Sequence, residues 1–190
     1  MRKLFFTLLS LLCLTAGAQN AEKLYQEGKQ LYDEKKYDEA FPKLKTAAEK
    51  GHKKAQYRLG RCYDKGHGVT EDDHQAFLWY EKSAAQGFAK AQYQMGKSYK
   101  NGEGVEENRE KAVYYFTLAA KQENADGELA LGKAYMKGKG VAQNQREAKK
   151  WLSRAVNNPK GGKEVLDELR KEAAESDDDA IAILKITGKN

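Results

Sequence analysis

Apolar and small residues recur at intervals of three and four along most of the chain, which is the spacing of a helix with one buried face. Between residues 55 and 88, one such set is followed by two glycines and then by a second set. The two sets are Ala55, Leu59, Cys62 and Tyr63, then Ala76, Trp79, Tyr80 and Ala84. Glycine ends helices readily because positive φ costs it little, and Asp72 stands where the next helix needs an N-cap. This stretch therefore predicts a helical hairpin.

The chain repeats this hairpin at a fixed period. Its motif reads LGRCYDKGHGV at 59–69, MGKSYKNGEGV at 95–105 and LGKAYMKGKGV at 131–141. Gly60, Gly96 and Gly132 are therefore spaced by 36 residues. Helical repeats with a period of roughly 20 to 50 residues stack on one another, because each is too small to bury its own apolar face. The period predicts an all-α solenoid.

The repeated glycines lie inside a predicted helix, where each costs about 1 kcal/mol relative to alanine. A close approach of the two helices of a hairpin would offset that cost. We expect the small residues Ala76, Ala112 and Ala148 of the second helices to face these glycines.

The first residues read as a secretory signal peptide. Arg2 and Lys3 precede an apolar run from Leu4 to Leu14, and the small residues Ala16 to Ala18 follow. We expect cleavage after Ala18, which also removes Cys13. A lipid anchor on Cys13 is the less favoured alternative, because Leu12 precedes it where a small residue is needed.

Two looser segments flank the three close repeats. Residues 21–54 read as a hairpin with a shorter turn and no G-x-G-V loop, and two short helices after Pro159 read as a cap in which Ile181 packs inward. The predicted divisions are a signal peptide at 1–18, a first hairpin at 19–54, repeats at 55–90, 91–126 and 127–162, and a cap at 163–190.

Composition excludes several function classes. The chain has 190 residues, and without residues 1–18 its net formal charge is +4, too mild for a nucleic-acid-binding protein. No transmembrane segment is expected beyond the predicted signal peptide. Cys62 would be the one cysteine left, so an internal disulfide is impossible, and its alignment with Ser98 and Ala134 marks a small packing position.

The motif A-x-x-x-L-G-x-x-Y-x-x-G-x-G-V, followed by an N-cap and A-x-x-W/Y-Y/F, resembles the Sel-one-like repeat (SLR) family, relatives of the tetratricopeptide (TPR) repeats. Three units match it closely, and residues 19–54 resemble the shorter TPR form. The resemblance implies a right-handed α-solenoid of about four stacked hairpins plus the C-terminal cap. It also implies a scaffold for protein complexes, with the exported bacterial members tied to host or envelope interactions.

The sequence contains few features that indicate an enzyme. A cysteine-rich branch of the resembled family is linked to β-lactamase activity, but this chain lacks cysteine at the corresponding helix ends. No S-x-x-K, G-x-S-x-G or H-E-x-x-H motif occurs. We expect His52, His67 and His74 to be solvated residues of connections, and we predict no catalytic residue, no cofactor and no metal site.

A candidate binding surface is predicted from helix positions that are not expected to contribute to the core. The residue after each helical glycine forms a basic row, and the residue four positions earlier lies on the same helix face and forms a mostly aromatic row. The basic row is Lys29, Arg61, Lys97 and Lys133, and the aromatic row is Tyr25, Tyr57, Tyr93 and Leu129. Placed as in TPR units, both rows line a concave groove suited to a partner protein or peptide that carries carboxylates. The alternative is that both rows are ordinary solvated surface.

The sequence thus predicts an exported protein-interaction module in the periplasm or at the surface of a Gram-negative bacterium. Its partner is a protein or peptide, possibly acidic, bound in the groove. Two alternatives stay open: a β-lactamase-like envelope enzyme, and a structural subunit of an envelope complex without a ligand of its own.

Overall fold

A computed structural model describes the backbone from Arg2 to Lys189 and the side chains from Gly17 to Lys189. Within that part of the chain all regular structure is helical, and the helices fall into two compact units that divide after Gln86. The predicted all-α fold of helical hairpins is confirmed. The helices are α1 (Arg2–Asp33), α2 (Tyr37–Glu49), α3 (Lys53–Lys65), α4 (Asp73–Ala85), α5 (Ala89–Asn101), α6 (Arg109–Lys121), α7 (Ala125–Lys137), α8 (Gln145–Val156), α9 (Gly162–Ala174) and α10 (Asp178–Thr187).

Unit 1 contains two hairpins, α1 with α2 and α3 with α4, and α2 packs on α3. Its core is built around Leu44, Leu59 and Cys62, all fully buried. The backbone of α1 continues without a break past Ala18, the predicted cleavage point. The side chains of residues 1–16, which include most of the predicted signal peptide and Cys13, lie outside the described residues.

Unit 2 contains the hairpins α5 with α6 and α7 with α8, with α6 packed on α7. Helices α9 and α10 pack on each other and on α8, and their core includes Leu169 and Ile183. Ile181 was expected to pack inward, and this was wrong, because its side chain is 46% exposed. Across the described part of the chain, we find no helix with the length and apolar character that a membrane crossing requires.

The helix ends follow the local sequence signals. The side chains of Asp72, Asn108 and Asn144 accept hydrogen bonds from backbone amides three residues ahead, at 2.8–3.0 Å, so the predicted N-caps are confirmed. Gly66 closes α3 in the left-handed region, with φ of 63°. His52 also acts as an N-cap, because its Nδ1 accepts from the amide of Ala55 at 3.1 Å.

The helical glycines lie where two helices of a hairpin come close together, as predicted. A β carbon added to Gly60 would lie 2.6 Å from Cδ1 of Tyr80, and one added to Gly132 would lie 2.7 Å from Leu152. Ala76 lies at this approach, as expected, with its carbonyl oxygen 3.2 Å from the added β carbon, but the nearest atoms belong to the ring of Tyr80, one turn further along α4. At Gly96 and Gly132 the nearest atoms likewise belong to Phe116 and Leu152 rather than to Ala112 and Ala148.

Candidate functional site

In unit 1, the side chains of two predicted groove residues, Tyr25 and Lys29, contact other residues of the same unit. Tyr25 is only 6% exposed, belongs to the core and stacks on the His52 ring with 4.4 Å between centroids. Lys29 lies on the exposed side of α1 and pairs with Asp33 at 2.9 Å, one helical turn away. Tyr25 therefore offers a ligand little surface. Lys29 lies at the surface, and its ion pair with Asp33 is weak enough for a ligand carboxylate to replace.

Tyr57 and Arg61 lie together on α3 in a cluster of phenol rings. Both side chains are half-buried, and the Tyr57 ring lies 5.9 Å from that of Tyr80. Burial is the largest influence on the pKa of Arg61 and lowers it, but Tyr57, Tyr32 and Tyr80 together raise it above its usual value. Arg61 therefore stays charged although it is half-buried among these rings.

Unit 2 contains a cleft of about 500 Å³ between α5 and α7, with α6 as its floor. It brings together four residues of the predicted rows: Lys97 and Lys133 of the basic row, and Tyr93 and Leu129 of the aromatic row. We call this space the unit 2 cleft. Its apolar lining comes mainly from the floor helix and α7, through Ala112, Val113, Phe116, Leu129 and Ala130.

Cations dominate the charged lining of the unit 2 cleft. They are Lys97, Lys100, Arg109, Lys133, Lys137 and Lys139. Burial lowers the pKa of Lys100, and the like charges of Lys133, Lys139 and Lys97 lower it further. Like charges disfavour one another at close range, so an anion bound among them would relieve this repulsion.

Carboxylates partly balance these cations. Asp126 and Asp179 line the cleft, Lys137 contacts Asp179, and Lys133 lies 3.8 Å from Glu172. Desolvation is the main cause that raises the pKa of Asp126, and Glu164 raises it further against the opposing effect of Lys90 and Lys97. Among the residues with described side chains, Lys97, Lys100 and Lys139 form no ion pair.

Sequence reasoning missed several members of the cleft. Arg109 enters from the start of α6, and Lys137 and Lys139 lie at the end of α7 and in the loop after it. Lys137 could have been anticipated, because it follows Lys133 by one helical turn. Arg109 is brought in from the helix that forms the floor, and no spacing along α5 or α7 indicates it.

Two of the three histidines differ from the expectation that they are solvated, whereas His74 is exposed in the first turn of α4, as expected. His52 caps α3 and stacks on Tyr25, and His67 stacks on Tyr37 with 3.8 Å between ring centroids. Tyr32 Oη lies 2.9 Å from His67 Nδ1, and burial lowers the pKa of His67. Both rings thus pack within unit 1.

Comparison with known protein families matches the Sel1 repeat to residues 53–88, 89–124 and 125–159, more than half of the chain. The chain belongs to the Sel1 repeat family. Sel1 repeat proteins generally act as protein-interaction modules and non-enzymatic scaffolds. The predicted SLR resemblance is therefore confirmed.

Known Sel1 repeat proteins share the fold. A protective antigen of uropathogenic Escherichia coli with an SLR fold superposes with a TM-score of 0.73 at 28% identity, covering 95% of this chain and 40% of the antigen. A Sel1 repeat protein from Oxalobacter formigenes gives 0.68 at 29% identity, covering 87% and 85%.

A sequence relative from Rhizobium leguminosarum bv. viciae is a negative regulator of exopolysaccharide production. It is 37% identical over 59 residues, which are 31% of this chain and 22% of the regulator. The chain therefore spans less than a quarter of that relative and less than half of the E. coli antigen.

Proposed function

We propose that this Sel1 repeat protein is an exported interaction module that binds a partner protein or peptide. The proposed contacts lie on the first helix of each hairpin, which is α1, α3, α5 or α7. The unit 2 cleft carries the proposal, because it combines an apolar floor with three lysines that form no ion pair among the described residues, Lys97, Lys100 and Lys139, in a space large enough for a short peptide segment. In unit 1, Lys29, Tyr57 and Arg61 are the proposed additional contacts, and Tyr25 contributes packing.

Export rests on the N-terminal residues. Two basic residues, an apolar run and Ala16-Gly17-Ala18 match a secretory signal peptide, which directs the protein to the periplasm or the cell surface of a Gram-negative bacterium. Intact mass measurement of protein recovered from the envelope fraction tests this. A chain beginning at Gln19 supports export, and an uncleaved chain confined to the cytoplasmic fraction contradicts it.

The interaction itself is tested by affinity capture from envelope extract. The bait is the purified protein, compared with a variant that carries Glu in place of Lys29, Arg61, Lys97 and Lys133. Circular dichroism first establishes that both are folded. A partner that binds the wild type and is lost from the variant supports the proposed surface, whereas a partner retained equally by both contradicts it.

A further inference from the structure

We propose that the unit 2 cleft selects an extended acidic peptide segment that carries an apolar side chain next to its carboxylates. This inference rests on the proposed function and adds the chemical class of the partner segment. Three features of the cleft support it: the distribution of its charges, its length and its apolar floor.

The charges are distributed unevenly along the cleft. Helices α5 and α7 both begin at the end where Tyr93, Asp126 and Leu129 lie. Both finish at the opposite end, where Lys100 and Lys137 lie, with Lys139 in the loop beyond. One end of the cleft is therefore aromatic and weakly acidic, and the other is basic.

Nearby groups offset only part of the charge at the basic end, because Glu103 raises the pKa of Lys100 but is outweighed by burial and by three neighbouring lysines. A helix C-terminus carries only about half of a negative elementary charge, and Asp179 already contacts Lys137. Lys97, Lys100 and Lys139 form no ion pair within the described part of the chain, and the pKa of Lys100 is lowered by burial and by its cationic neighbours. A bound segment with two carboxylates would compensate much of the charge that remains.

The length of the cleft suits a few residues of extended chain. Tyr93 and Lys100 are seven residues apart on α5, which corresponds to about 10 Å along the helix axis. An extended peptide advances about 3.3 Å per residue, so about three residues span this distance. The segment therefore has room for an apolar residue at one end and two acidic residues at the other.

The apolar floor distinguishes a peptide from other anionic polymers. Val113 and Leu129 are partly exposed in the cleft and gain from burial by an apolar side chain, and the buried Phe116 ring packs behind them as part of the lining. A polysaccharide or nucleic-acid backbone lacks such a branched apolar group. Asp126 and Asp179 in the lining also oppose a uniformly charged polyanion.

Nuclear magnetic resonance titration of the purified protein tests the inference with defined probes. The probes are end-blocked peptides with the sequences Phe-Asp-Glu-Asp and Asp-Glu-Asp-Phe, the uncharged analogue Phe-Asn-Gln-Asn, and polygalacturonate. The cleft variant is Lys97→Glu with Lys100→Glu. The control is Lys121→Glu with Lys149→Glu, which makes the same charge change at exposed positions of unit 2 outside the cleft.

We expect at least one acidic peptide to shift amide signals of α5 and α7 and to bind the cleft variant at least about tenfold more weakly. The control variant should bind as the wild type does, and the uncharged analogue should bind about tenfold more weakly. If the charge-reversed variant does not fold, Lys97→Met with Lys100→Met replaces it, with the same direction of change expected.

Other outcomes would overturn the inference. Equal binding of the acidic and uncharged peptides would remove the charge requirement, and cleft-dependent binding of polygalacturonate without peptide binding would assign a different polymer class. Absence of binding by both acidic peptides would also contradict it. In each case a partner captured from envelope extract and lost from the four-residue variant would leave the proposed function standing, so the two failures are distinguishable.

Discussion

A β carbon built on Gly60 would lie 2.6 Å from Cδ1 of Tyr80, closer than non-bonded carbon atoms approach each other in folded proteins. Helix α3 and helix α4 are therefore in contact at a position with no room for a side chain unless the Tyr80 ring shifts. We expect Gly60→Ala to lower the free energy of unfolding by about 1–3 kcal/mol through overpacking. An uncrowded helical site would instead gain about 1 kcal/mol from the same change. Chemical denaturation measures the difference.

Tyr80 provides the control for this substitution. In a Tyr80→Ala background the ring is absent, so Gly60→Ala should become neutral or stabilising. A double-mutant cycle isolates that coupling. An equal cost of Gly60→Ala in both backgrounds would show that the glycine is required for another reason.

Glu128 on α7 is a buried carboxylate whose charge is compensated by an ion pair, and substitutions there test that compensation. Its carboxylate is 1% exposed, receives a hydrogen bond from Asn158 at 2.8 Å and pairs with Arg154 at 2.9 Å. The equivalent residues 72 and 36 positions earlier are buried glutamines, Gln56 and Gln92, each bonded to a second glutamine 30 residues ahead. Arg154→Ala would remove the cation from a buried carboxylate and should cost about 1–3 kcal/mol of stability.

Glu128→Gln is the matched rescue for the loss of Arg154. Because glutamine serves at the equivalent position in the other two repeats, adding Glu128→Gln to Arg154→Ala should recover most of the lost stability. Thermal or chemical denaturation of the wild type, both single variants and the double variant measures this. A double variant no more stable than Arg154→Ala would contradict the role of the ion pair as charge compensation.

Cys62 should be unreactive while the protein is folded. Its side chain is fully buried, and burial raises the pKa of its thiol to about 12. The thiolate is the reactive form, so a thiol reagent at pH 8 should modify Cys62 only after denaturant is added. Mass spectrometry of tryptic peptides separates this site from Cys13. Rapid modification of Cys62 in the native protein would contradict the packing described for α3.

Alkaline pH should destabilise the protein through Tyr80. Burial, with a smaller contribution from Asp64, raises the pKa of its phenol well above the unfolded value of about 10. Above that pH the unfolded chain releases the proton while the folded state retains it, so the free energy of unfolding falls as pH rises. Tyr80→Phe should reduce this alkaline loss. An unchanged pH dependence in denaturation experiments would contradict the assignment.

The hairpins could be predicted from the sequence because their signals are local. Helical spacing, the N-caps Asp72, Asn108 and Asn144, and the left-handed Gly66 are each specified within a few residues. Contacts between helices were harder to predict. Gly60 was correctly placed at a close approach, but its partner depends on which turn of α4 lies opposite.

Side-chain environments that depend on distant residues escaped prediction. The burial of Tyr25 follows in part from stacking on His52, which is 27 positions later and caps another helix, α3. The row positions identified Tyr93, Lys97 and Lys133 as neighbours, because they repeat on one helix face. Arg109 joins them only through packing of α6, which spacing along the row helices does not encode.

Photo-crosslinking in cells most directly tests whether a partner occupies the unit 2 cleft. A photoreactive amino acid replaces Asn101, an exposed residue of the cleft lining, and in a control protein it replaces Lys121, which is exposed on α6 outside the cleft. We predict a discrete crosslinked partner at position 101, absent at 121 and lost when Lys97→Glu and Lys100→Glu are added. Crosslinks at 121 alone, or a crosslink at 101 that survives the charge reversal, would contradict it.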